Sequence, residues 1–133
     1  MTPAPEPPDS IASSDAAEMP EHVVVMLLEG AQRFLGKAEE AIQARDSMLR
    51  DFYLKRVLSI ILELTKRVNC ELGGSLVNNL IRIYDWWGRE VLDGGEQDDV
   101  ERLRTVADQM GEIRKSWEQV LFKGQGMSEN PEF

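Results

Sequence analysis

The side chains that most often bind metals are few in this chain. It holds one histidine, His22, and one cysteine, Cys70. Di-iron helical bundles use Glu-x-x-His pairs from facing helices, but the residue three before His22 is Met19. No Cys-x-x-Cys or His-x-x-x-His spacing supports a zinc site. We therefore expect no metal and no cofactor, with His22 solvated in a first helical turn and Cys70 half-buried at a helix end.

Motifs of nucleophilic catalysis and phosphate binding are also missing. The sequence has neither a Gly-x-Ser-x-Gly elbow nor a Walker loop. Gly73-Gly74-Ser75 could hold an anion with backbone N–H groups, but no lysine follows closely, so we interpret it as a turn that starts a helix. The acidic residues Glu96, Asp98, Asp99 and Glu101 lack EF-hand spacing and suit the positive end of a helix dipole. The sequence predicts a protein that is not an enzyme.

The charge balance restricts the partners. The formal net charge is −9, from 24 acidic and 15 basic residues, which disfavours nucleic acid and anionic lipid as ligands. No stretch approaches the roughly 20 apolar residues that span a bilayer. The apolar run at 23–28 follows acidic residues and lacks a small-residue cleavage site, unlike a secretory signal. A single Cys70 fits a reducing compartment, so we expect a cytoplasmic protein without membrane insertion.

Composition divides the chain into a domain and two tails. Residues 1–18 contain four of the six prolines and little to bury, which predicts a disordered N-terminal tail. Residues 123–133 carry two glycines and a proline and predict a flexible C-terminal tail. The intervening residues 19–122 are expected to form one domain.

Apolar spacing within that domain predicts four helices, at about 20–44, 48–69, 75–92 and 97–122. Arg45-Asp46-Ser47 forms the first connection, and Asp93-Gly94-Gly95 is expected to end the third helix, as glycines do beyond helix C-termini. Strand signals are weak. Short connections between helices favour antiparallel neighbours, so the predicted fold is all-α, an antiparallel up-down four-helix bundle.

The second and third helices carry more apolar width than a bundle normally buries. At about 100° per residue, apolar residues of the second helix cover roughly 200° and those of the third about 180°, whereas the fourth helix has a narrow stripe. Trp86 lies outside the arc of the third helix and Met26 lies off the stripe of the first. Such excess predicts surface grooves that bind an amphipathic helix or an extended apolar segment.

Seven apolar residues are the predicted partner contacts. They are Met26, Tyr53, Val57, Ile60, Ile83, Trp86 and Trp87. Aromatic residues and methionine often anchor such contacts. Irregular packing of the bundle, or a homodimer across the same surface, remains the alternative explanation of the excess width.

An ordered set of motifs resembles the flagellar export chaperone FliS family. Residues 20–31, PEHVVVMLLEGA, are similar to that family's opening Pro-x-x-Leu-x-x-Met-Leu-Tyr-Asp-Gly-Ala. Asp46 stands where the family turns into its second helix. Residues 71–74 resemble its Glu-x-Gly-Gly turn, and residues 79–87 its Asn-Leu-x-x-Leu-Tyr-Asp-Tyr-Met run. Residues 114–117 resemble its Arg-x-x-Trp, so the likeness spans about residues 19–121.

The resemblance implies a four-helix bundle that clamps the disordered C-terminal region of flagellin. It implies that this clamp blocks premature filament assembly and delivers flagellin to an export gate component of the flagellar type III apparatus. The chain departs from the family in its N-terminal tail, which lacks tyrosine, and in Met19, which replaces a serine cap. Two other hypotheses are a helix-binding module for another secreted or regulatory partner and a metal- or cofactor-using bundle enzyme.

Overall fold

Four helices make up the described part of the chain. The computed structural model describes the backbone of residues 20–71 and 75–124 and the side chains of residues 22–68 and 77–119. The helices are α1 (Pro20–Gln43), α2 (Ser47–Glu71), α3 (Ser75–Glu96) and α4 (Val100–Gly124). These two backbone ranges contain no strand. The predicted all-α class is confirmed; the predicted tail at 1–18, and the part of the C-terminal tail beyond Gly124, lie outside the described residues.

The helices pack in a ring that follows chain order. α1 contacts α2 and α4, and α3 contacts α2 and α4, whereas the described parts of the diagonal pairs do not meet. Few residues separate successive helices, so each helix runs antiparallel to the next. The ring of contacts then makes α4 antiparallel to α1 as well. The predicted up-down four-helix bundle is confirmed.

Apolar and aromatic side chains from all four helices fill the centre of the ring. They recur at helical spacing, which places them on one face of each helix. The largest fully buried side chains are Trp87, Tyr84, Leu28, Leu35, Leu64, Leu103, Met110, Val57, Val91 and Val106.

The two described turns share one design. Arg45 and Asp98 adopt positive φ values of 59° and 51°, which end α1 and α3 in left-handed turns. An aspartate follows each of them as a helix cap. The Asp46 carboxylate accepts the N–H of Leu49 at 3.0 Å, and the Asp99 carboxylate accepts the N–H of Arg102 at 3.2 Å.

The sequence predicted that Gly94 and Gly95 end α3, and this prediction is wrong. α3 continues through Gly94 and Gly95 to Glu96. A Cβ at Gly95 would lie 2.5 Å from Cδ1 of Leu54 on α2, and one at Gly94 would lie 3.3 Å from Cδ2 of Leu103 on α4. The glycines therefore allow α3 to approach both neighbouring helices closely, and the turn to α4 comes after them.

Candidate functional site

The predicted excess of apolar width on α2 lies at the surface. Phe52 is 48% exposed and Leu62 is 62% exposed, although both are large apolar residues. Leu58 and Ile60 are half-buried beside them and pack against the core. Because these side chains point to both sides of α2, they form two grooves, one along α1 and one along α3.

The first groove lies between α1 and α2 and is called the α1/α2 groove below. Its lining residues are Phe34, Phe52, Lys55, Arg56, Ser59 and Ile60. The ring of Tyr53 stacks on Phe34 at 6.0 Å between centroids and meets the edge of Phe52 at 5.2 Å. These aromatic contacts pack the side chains that form the floor of the groove.

Two of the predicted contact residues line or adjoin this groove, and a third extends its edge. Ile60 lines it, and Tyr53 supports its aromatic floor. Gly30 of α1 faces Ile60, since a Cβ there would lie 3.6 Å from Ile60 Cδ1. Met26 lies one helical turn before Gly30 on the same side of α1 and is 63% exposed. The structure thus brings Met26, Tyr53 and Ile60 to one side of the bundle.

The second groove lies between α2 and α3 and is called the α2/α3 groove. Leu62 from α2 and Leu92 from α3, which is 55% exposed, form its apolar edges. An ion pair between Asp85 and Arg89 at 3.3 Å borders it. The full lining is Leu58, Ile61, Leu62, Thr65, Ile81, Tyr84, Asp85, Gly88, Arg89 and Leu92. A shallower depression continues along the same two helices past Leu54 towards Gly95.

Tyr84 contributes to this groove but keeps its hydroxyl buried. The residue is 1% exposed, and its oxygen has no hydrogen-bond partner among the described residues. Burial raises the pKa of Tyr84 to about 12. A buried hydroxyl without a partner costs free energy of folding, because it gives up its hydrogen bonds to water.

We expect Tyr84→Phe to leave the free energy of unfolding at pH 7 unchanged or slightly higher. An unfolded tyrosine titrates near pH 10, so the raised pKa means that wild-type stability falls as the pH rises from about 10 through about 12. The variant should lack that part of the alkaline loss. Urea unfolding at neutral pH and near pH 11 measures both effects, with Tyr53→Phe as the control. Parallel alkaline losses in wild type and Tyr84→Phe would contradict the prediction.

Ile83 and Trp86 lie on the opposite side of α3, towards α4. One turn after Trp86, the Glu90 carboxylate accepts two hydrogen bonds from Arg102 of α4, at 3.0 and 2.9 Å. Those bonds lower the pKa of the Glu90 carboxyl. Ile83 and Trp86 are both half-buried and pack against the core. They are therefore separated from the two grooves that flank α2.

Val57 and Trp87 were predicted as partner contacts, but in this structure they are buried and inaccessible to a partner. Both residues are 0% exposed and belong to the core. The Nε1–H of Trp87 donates a hydrogen bond to Oε1 of Gln109 on α4, at 2.9 Å. Val57 and Trp87 lie on the buried faces of α2 and α3. They therefore pack beneath the grooves, and their side chains are not exposed in this structure.

The face between α1 and α4 is polar and ion-paired. Arg104 contacts Glu39 through Nε at 3.2 Å, and this hydrogen bonding lowers the pKa of the Glu39 carboxyl. Arg114 contacts Glu29 at 3.1 Å. Exposed pairs of this kind add little stability, but in the described part of this face they place charged side chains where the α2 side has exposed apolar ones. The contrast places the candidate interaction surface on the α2 side of the bundle.

Several groove residues were not among the predicted contacts. Phe52, Leu62 and Leu92 are the exposed large apolar residues among them, and their presence in the wide apolar arcs was the available signal. Gly88 is different, because a Cβ there would meet no atom within 4 Å. A helical glycine with free space around it costs stability relative to alanine, and no contact within the described bundle explains it.

The histidine, cysteine, aspartate and glutamate side chains of the described residues form no group of three or more that could hold a metal ion. None of the described helices is both long and apolar enough to cross a membrane.

Comparison with known proteins adds independent information. A family model described as flagellar protein FliS matches residues 10–124, which include all four helices. The flagellar secretion chaperone FliS of Vibrio cholerae is 28% identical over 111 residues, covering 84% of this chain and 82% of the relative. The protein of the same name from Salmonella typhimurium is 25% identical over 112 residues, covering 84% and 83%. That from Campylobacter jejuni is 34% identical over 67 residues, covering 50% and 52%.

Proposed function

The chain belongs to the flagellar protein FliS family, and we propose that it is a cytoplasmic chaperone that binds the C-terminal region of flagellin. Relatives that match more than four-fifths of the chain bear the name flagellar secretion chaperone. Binding would keep flagellin from polymerising before export. The complex would then contact a component of the flagellar export gate, where flagellin is released.

One observation supports this proposal more than any other. The two apolar grooves flank a single helix, α2, and large apolar side chains stand exposed along both of them. Apolar surface buried on binding contributes about 25 cal/mol per Å². A disordered client segment can wrap such a surface and place helices or extended stretches in each groove.

The proposed mechanism is stoichiometric binding, with no bond made or broken. Phe52 and Ile60 would bury client side chains in the α1/α2 groove, and Leu62 and Leu92 would do so in the α2/α3 groove. The net charge of −9 keeps a protein that exposes apolar surface soluble. The ion-paired α1/α4 face would stay in water.

The proposal predicts one-to-one binding of a peptide that covers the C-terminal region of the host's flagellin. We expect submicromolar affinity in calorimetry, equivalent to about −8 kcal/mol or better. Ile60→Asp should weaken this binding at least tenfold, because it places a charge in the floor of the α1/α2 groove. Trp86→Ala tests whether the α3/α4 side also takes part in binding.

Gln119→Asp is the matched control for Ile60→Asp, since it adds an aspartate at an exposed position of α4. Circular dichroism of each variant shows whether the bundle remains folded. Failure of the wild-type protein to bind the peptide would refute flagellin as the client and leave a helix-binding module for another partner. A dimer by sedimentation that dissociates on Ile60→Asp would instead assign the groove to a second copy.

Delivery to the export apparatus is a separate step and needs a test in cells. A strain that carries Ile60→Asp should secrete less flagellin than one that carries Gln119→Asp at equal chaperone level. Equal secretion by the two strains would separate peptide binding from export and contradict this part of the proposal.

A further inference from the structure

The α1/α2 groove combines an apolar floor with two adjacent cations. Lys55 and Arg56 are exposed residues of α2, and both line the groove. Among the described residues, no carboxylate lies within 4.0 Å of either charge. By contrast, Arg50, Arg102 and Arg104 each contact at least one carboxylate.

Arg56 is held over the aromatic floor of this groove. Its guanidinium carbon lies 4.3 Å from the ring centroid of Phe52 and 5.9 Å from that of Phe34. A guanidinium stacked on aromatic rings keeps its N–H donors available, because the rings satisfy none of them. The charge is thus positioned beside apolar surface before any counter-ion arrives.

Lys37 adds positive charge on the α1 side. It lies seven residues, or about two turns, beyond Gly30, so the two residues project in nearly the same direction. Gly30 faces Ile60 across the groove, which places the exposed Lys37 along the outer edge of the same groove. Among the described residues Lys37 has no carboxylate within salt-bridge distance.

The groove cations are available to a ligand. Several arginines on the other faces pair with carboxylates, as Arg104 does with Glu39 and Arg114 with Glu29. Lys55 and Arg56 share with other exposed cations, such as Lys66 and Lys115, the lack of an ion pair among the described residues; only the groove pair adjoins an aromatic floor. A positive apolar groove attracts a segment in which carboxylates alternate with apolar side chains, and it disfavours a basic one. The net charge of −9 disfavours binding of such a segment to the acidic parts of the surface.

We propose that the α1/α2 groove selects an acidic amphipathic segment of the client, whose apolar side chains contact Phe52 and Ile60 while its carboxylates pair with Lys55 and Arg56. This proposal rests on the proposed function, because it names the part of flagellin's C-terminal region that enters this groove. Charge-assisted hydrogen bonds from a guanidinium to a carboxylate have defined geometry, so they also fix the register of the bound segment.

The test uses the full chain and the peptide from the C-terminal region of the host's flagellin. The variant is the double charge reversal Lys55→Glu with Arg56→Glu. Its matched control is Lys66→Glu with Lys115→Glu, which changes the net charge equally at exposed positions of α2 and α4. At low salt we expect the groove reversal to weaken binding about tenfold or more and the control about threefold or less.

A second peptide separates charge pairing from packing. In it every aspartate and glutamate is replaced by asparagine and glutamine. This peptide should bind the wild-type chain more weakly than the natural one does, and the groove reversal should change its affinity no more than the control reversal does. Circular dichroism shows whether the wild-type chain and the two reversal variants are folded.

The outcomes distinguish the two proposals. If the wild-type chain does not bind the natural peptide, flagellin is not the client, and this inference fails together with the proposed function. If the wild-type chain binds tightly and the two reversals weaken binding equally, only the inference is overturned. The same holds if the groove reversal weakens binding of the natural and the neutralised peptide equally. A flagellin C-terminal region without acidic residues beside its apolar ones would contradict the inference directly.

Discussion

Replacing Leu62 and Leu92 together by aspartate is expected to weaken binding of the flagellin segment about 100-fold or more, which corresponds to roughly 2.7 kcal/mol. Both side chains stand at the edges of the α2/α3 groove and are more than half exposed. A bound apolar segment would cover them, so a carboxylate at either position would lose its water without gaining a partner. Calorimetric titration of the double variant with the same peptide measures the loss.

The double variant should remain folded, because the free bundle does not bury either leucine. We expect its free energy of unfolding to fall by about 1 kcal/mol at most. Replacing both leucines by lysine provides the control for charge sign: a similar loss of affinity shows that desolvation is the cause. Unchanged affinity in both double variants would place the client elsewhere and remove the α2/α3 groove from the proposed mechanism.

Trp87→Ala is expected to lower the free energy of unfolding by about 3–5 kcal/mol. Trp87 is fully buried, packs on Tyr84 with 5.3 Å between ring centroids, and donates its indole N–H to Gln109. The substitution leaves a cavity between α3 and its neighbours and an unpaired amide on α4. Urea unfolding monitored by circular dichroism gives the change directly.

Trp86→Ala is the neighbouring control and should cost less, since Trp86 is only half-buried. Trp87→Phe should recover part of the loss, because it refills most of the cavity but cannot donate to Gln109. If Trp87→Ala kept its stability and lost only peptide binding, the original prediction of Trp87 as a contact residue would stand. The buried position would then have to open when the client binds.

The fold could be predicted because its signals are local. Apolar residues recur every three or four positions, and Asp46 marks the start of α2. Gly94 and Gly95 were misread for the opposite reason. Glycines that end a helix and glycines that admit a neighbouring helix look the same in sequence, and only the positions of Leu54 and Leu103 on other helices decide between them.

The candidate site was predictable in part. The wide apolar arc of α2 indicated surface grooves, but an arc does not say which of its residues face the neighbouring helices. Trp86 and Trp87 are adjacent in sequence, yet only Trp87 is fully buried, because α3 turns that side towards the core and Gln109. Lys55 and Arg56 could not be singled out from the sequence, because the absence of ion-pair partners is visible only in the three-dimensional structure.

The up-down order of the ring has a practical consequence for tethering. α1 begins, and α4 ends, at the end of the bundle where α2 finishes at Glu71. A flagellin segment fused directly after Gly124 would therefore start at the end of the bundle where α2 finishes and could run back along α2, whose 25 residues span about 37 Å. Such a fusion turns client binding into an intramolecular event at a millimolar-scale effective concentration. It would hold even a weakly bound client in place for crystallisation.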